Sequence, residues 1–67
     1  MGYRVWFTFR NGLGEDVRDY LDNNGEGFTP DDALNCAREM GFRGHKDINI
    51  TRLGTVADEY ERMQYGN

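Results

Sequence analysis

Tyr3, Val5, Phe7 and Phe9 alternate with Arg4, Trp6, Thr8 and Arg10. A period of two in aromatic and β-branched residues predicts a half-buried strand over 3–10. Asn11-Gly12 follows at once and suits the left-handed backbone of a tight turn. The next segment reads two ways. Leu13, Val17, Tyr20 and Leu21 recur at helical spacing, whereas a strand would put Val17, Asp19 and Leu21 on one face. The strand gives a third member to a sheet that would be marginal with two, so the hairpin is the preferred reading. Asp22 to Gly27 is a loop by composition.

A helix then begins at Thr29, with Pro30 at its first position and Asp31 and Asp32 at its positive end. Ala33, Leu34, Ala37 and Met40 form its apolar stripe, and Gly41 is expected to end it, with Phe42 folding back on the last turn. Ile48 and Ile50 alternate with Asn49 and Thr51 in a second clear strand, which Gly54 closes. Thr55 caps a final helix, with Asp58 three residues on as a capping-box partner. Val56, Tyr60 and Met63 lie at i, i+4 and i+7 and are expected to face the core, while Asp58 and Arg62 are spaced to pair. The expected architecture is a single α+β domain over 1–67: two or three antiparallel strands, with two or three helices on one sheet face. Its expected core is Tyr3, Val5, Phe7, Phe9, Leu34, Ala37, Met40, Ile48, Ile50, Val56 and Tyr60.

Composition narrows what such a domain can do. With 37% apolar residues among 67, the core supplies only about 3–5 kcal/mol net. No apolar run is long enough to cross a bilayer, and the first residues lack the apolar stretch of a signal peptide, so no membrane partner is expected. Cys36 is the one cysteine, so no internal disulfide is available. A secreted domain of this size would need such staples, and a cytoplasmic location is the expectation. The chain has 12 acids against 8 Lys and Arg, a formal charge of -4. Seven acids (Glu15, Asp16, Asp19, Asp22, Glu26, Asp31, Asp32) stand against Arg18 alone between residues 15 and 32. This balance makes nucleic acid a less favoured partner, because phosphate neutralisation drives that affinity.

Little of the chain looks like chemistry. The stretch from Asp22 onward resembles the start of an EF-hand calcium loop: Asp22, Asn24 and Glu26 stand at its first, third and fifth positions, and Gly27 at its sixth. The match covers about a dozen residues and then departs, with Thr29 at the eighth, apolar position and Ala33 at the twelfth, where the family carries a bidentate Glu. An ordinary turn is the preferred reading, and no metal or cofactor is expected. His45 and Cys36 are single and have no local support as a catalytic pair. No phosphate loop is present, so no catalytic residue is assigned and an enzyme is not expected.

The leading expectation is therefore a small acidic protein-binding module, an inhibitor or adaptor. Its carboxylates would stand where a basic groove expects phosphates, as in nucleic-acid mimics and phage-type inhibitors of host factors. Charge assigns Asp19 and Asp22 to the partner surface. Packing the uniformly apolar face of the first strand inward turns Trp6 outward between Arg4 and Arg10, and these three complete the expected partner site. The same trio offers an alternative, a nucleic-acid face that stacks a base on Trp6. Two structural readings compete for Trp6: cover by a second copy in a homodimer, or burial beneath segment 13–22 with an arginine stem stacked on it.

Overall fold

The computed structural model describes residues 2–65. Three strands and two helices follow in the order β1 (Tyr3–Arg10), β2 (Asp16–Leu21), α1 (Pro30–Phe42), β3 (Lys46–Arg52), α2 (Val56–Gln64). The strands form one antiparallel sheet ordered β2-β1-β3. The α+β class, the three antiparallel strands and the pair of helices are as the sequence leads one to expect. Among the described residues no helix is long and apolar enough to cross a membrane.

Segment 13–22 settles as a hairpin strand. Asn11 organises the turn: its Oδ1 accepts from the N–H groups of Leu13 and Glu15. Gly14, not Gly12, takes the left-handed backbone, at φ 79°. Leu13 is thereby left on an exposed loop, and the helical spacing that included it has no structural counterpart. Val17, Asp19 and Leu21 lie across from Phe9, Phe7 and Val5.

The layering differs from expectation. Residues directly opposite on neighbouring strands share a face. One face therefore holds Val5, Phe7 and Ile50, and the other holds Arg4, Trp6, Tyr20 and Thr51. The first meets α1, whose Ala33 and Met40 are buried against β1 and β3. The second is covered by α2, whose Asp58 and Glu61 bond to Arg4, Thr51, Arg18 and Asn49. The helices lie on opposite faces, so β1 is covered on both sides, and Val5 and Trp6 are fully buried. Three residues of the expected core, Leu34, Val56 and Tyr60, are exposed.

Local signals explain the helix ends. The Thr29 hydroxyl accepts from the Asp32 N–H at 3.2 Å. The other end runs past Gly41 to Phe42, which is exposed instead of folded back. Gly44 supplies the left-handed residue, and His45 N–H reaches back to the Met40 carbonyl. In β3 the register slips by one between Trp6 and Thr8, and Asp47 at φ 53° is the extra residue of a bulge.

Two backbones touch where the loop before α1 passes the start of β1. Tyr3 and Phe28 exchange both backbone hydrogen bonds there. Gly27 sits at φ 87°, and a Cβ on it would fall on the backbone of Gly2. Gly27→Ala is expected to cost about 1–3 kcal/mol, since strain and clash act together. Gly12→Ala, with nothing within 4 Å of its added methyl, should change stability by less than about 0.5 kcal/mol. Urea unfolding of the two variants checks this.

Candidate functional site

The five residues singled out by sequence separate in space. Arg4, Trp6 and Asp22 come together beneath α2. Arg10 stands at the far end of the sheet, exposed and paired with Asp16 at 3.4 Å. Asp19 lies on the opposite face, beside Phe7, and accepts from the Tyr20 N–H at 2.8 Å. That bond occupies a backbone donor of β2, an edge strand.

Trp6 is 0% exposed, which corrects its outward placement. Its indole N–H donates to Thr51 Oγ1 at 2.8 Å, and that hydroxyl donates to Asp58 Oδ1 at 2.9 Å. Arg4 Nη1 donates to both Asp58 oxygens at 3.1 Å, and Gly54 N–H gives a fourth bond. The Arg4 guanidinium also lies over the Trp6 and Tyr20 rings, 5.5 and 4.8 Å from their centroids. Tyr65 closes the aromatic cluster against both rings. Of the two structural readings for Trp6, the stacked arginine is present, but the cover is α2: segment 13–22 lies beside β1 in the sheet and contributes the Tyr20 ring. Of the trio read as an alternative nucleic-acid face, Arg4 and Trp6 are covered by α2, whose Asp58 meets Arg4, while Arg10 stays exposed beside Asp16.

A second guanidinium spans the same face. Arg18 donates to Glu61 at 2.9 Å, to Thr8 Oγ1 at 3.1 Å and to the Asp47 carbonyl at the bulge. Burial pushes the Glu61 carboxyl up, but bonds from Arg18 and Asn49 outweigh it and hold the group below its usual range. Asp16 is also held low, chiefly by its bond from Lys46.

The remaining candidates resolve as packing or turns. β2, a strand, precedes the Asp22 loop, so the helix–loop–helix frame of an EF-hand is missing. The Asp22 carboxylate accepts from Gly25 N–H and faces Arg4 at 3.8 Å. The His45 ring stacks on Phe7 with centroids 5.1 Å apart. Burial and nearby Glu39 push the half-buried Cys36 thiol up, away from the reactive thiolate.

Sequence reasoning missed the outer face of α2. Asp58 is 3% exposed, whereas Val56 is 87%, Tyr60 63% and Met63 75% exposed. The helix is inverted: Asp58 and Glu61 point at the sheet and the apolar stripe at solvent. The signal was the spacing of Asp58, Glu61 and Tyr65, which matches a sheet face carrying Arg4, Arg18 and two aromatic rings. Arg62 pairs with Glu59 at 4.0 Å instead of with Asp58. Beside the stripe, Tyr60 and Gln64 edge an open groove of about 470 Å³ floored by Thr8, Arg18 and Glu61, with Asp16 and Asp47 at its sides. The chain matches no family model, and neither the curated proteins nor the solved structures give a match to it.

Two outcomes test this geometry. Asp58→Ala leaves Arg4 buried without its carboxylate, and the expected loss is about 3–5 kcal/mol, enough to unfold a domain this small. Circular dichroism against temperature reads it. Because the Glu61 carboxyl is held low, its contribution is present above the unfolded-state value, near 4.5, and is lost as pH falls through the folded one. Acid unfolding between about pH 5 and 3 should be less steep in Glu61→Gln than in the wild type.

Proposed function

We propose that this chain is a small non-enzymatic protein-binding module, an inhibitor or adaptor that acts by occupancy, and that it docks through the outer face of α2. The exposed row of Val56, Tyr60 and Met63 carries the reading. Single exposed apolar residues are ordinary on any protein, but three in one row on one helix are a patch. In a chain this short of apolar residues, a row withheld from the core supports a contact made outside it. Tyr and Met suit such a contact: the ring brings large area at small entropy cost, and the thioether adapts to its neighbour. The inward acids matter equally, because α2 is held to the sheet through Asp58 and Glu61 and its apolar row faces solvent.

The partner site first drawn on Arg4, Trp6 and Asp22 is replaced by this face, since those residues hold the fold. Glu15, Glu26, Asp31 and Asp32 are exposed and in no ion pair among the described residues. They supply the acidic field expected to keep a small domain soluble and to steer a basic partner.

A photo-reactive benzoylphenylalanine in place of Tyr60 tests the reading in lysate of the source cells. The expected outcome is one adduct of defined mass, absent when the same group replaces the exposed Arg38 on the outer side of α1. No adduct, or the same adducts from both positions, would exclude the α2 face as a docking surface.

A further inference from the structure

The charges around the α2 stripe say what fits it. On this helix the exposed charged residues are Glu59 and Arg62, which pair with each other across one turn. The patch is thus locally neutral on a chain of charge -4. Of the acids in residues 15–32, Asp16 sides the groove next to Tyr60, and there Arg10 and Lys46 pair with it, so it adds no net field for a basic partner at this row. What the row does complement is itself. Tyr60 lies near its middle, with Val56 four residues before and Met63 three residues after. Two α2 helices laid antiparallel about a two-fold axis near Tyr60 bring Val56 of each copy to Met63 of the other. The two tyrosine rings meet at the axis. Glu59 of each copy then falls on the same side as Arg62 of the other, so four charges close a neutral set. A parallel arrangement would place Glu59 beside Glu59 and Arg62 beside Arg62.

We propose that the occupant of the α2 face is a second copy of this chain, docked antiparallel in an isologous contact. The proposal rests on the reading of this face as the docking surface. One short helix per copy makes an interface below about 1,200 Å², the range of weak and transient contacts. The dimer therefore exchanges with monomer. Two chains of charge -4 repel at long range, and salt screens that repulsion. Dimerisation tightens as salt is added, the opposite of what binding to a basic partner would do.

Sedimentation equilibrium of the full chain, from micromolar to millimolar and at low and moderate salt, tests the proposal. A monomer–dimer equilibrium that strengthens with salt is expected. Val56→Asp and Tyr60→Ser should each weaken it by at least about tenfold. Neither side chain is a member of the ion pairs that hold α2, so the circular dichroism spectrum should be unchanged. Arg62→Glu should weaken the dimer and the further change Glu59→Arg should restore it. Amide shifts of the wild type on dilution give a readout without any variant, and they should be confined to residues 56–64. A chain monomeric at every concentration overturns the second-copy proposal, as does a dimer indifferent to Val56→Asp and Tyr60→Ser, or dilution shifts located elsewhere. Failure here leaves the docking face itself to the cross-link at position 60, which reads any protein partner independently.

Discussion

A carboxylate placed where water cannot reach holds this domain together. Asp58 receives hydrogen bonds from Arg4, from the Thr51 hydroxyl and from the Gly54 backbone, and Thr51 in turn receives the Trp6 indole. A buried charge is tolerated only when its acceptor capacity is filled, and here donors from β1, β3 and the turn before α2 fill it. The arrangement joins three elements at one point. It also fixes the direction in which α2 faces, since turning the helix would lay its apolar row on two guanidiniums and leave them buried without carboxylates. Among the described residues the buried Arg4 Nε–H has no hydrogen-bond partner, which marks how tightly aromatic rings enclose the guanidinium.

The core under α1 is of a different kind. Val5, Phe7, Ala33 and Met40 bury apolar surface in the usual way, and His45 adds its ring to the stack on Phe7. One face of the sheet is therefore closed by apolar contact and the other by charge pairing around an aromatic cluster. In so small a domain the second is as necessary as the first, because apolar burial alone leaves little net stability.

How far the sequence was legible follows from this division. The odd positions of β1, the alternation of β3 and the cap of α1 are patterns of apolar burial and turn chemistry, and all three carried through to the structure. The hairpin needed a global consideration, the completeness of a sheet, because its own residues scan equally well as a helix. The orientation of α2 was not legible from its apolar pattern. Periodicity shows which residues share a face; it does not show what that face meets. The ordinary rule that apolar faces turn inward assigns Val56, Tyr60 and Met63 to the core. The rule fails where the opposing surface is itself cationic. Trp6 departs from expectation for the same reason: the cleaner apolar face of β1 is not its only buried one. The candidate site was hidden with it, because a docking face is recognised only once the helix is known to be inverted.

The strand order has a consequence for how the chain comes to be folded. β1 precedes the other elements of this sheet along the chain and is the central one, between β2 and β3. It can zip with β2 at once through a short local loop. Its other edge waits for β3, some forty residues later, and its aromatic face waits longer still for the carboxylates of α2. Arg4 and Asp58 are 54 positions apart. Contacts of such separation form slowly, because loop closure must precede any gain from them. During synthesis the hairpin therefore stands with one bare strand edge until β3 emerges and an uncovered tryptophan until α2 does. That interval is when this chain is most exposed to misassociation and most in need of a companion.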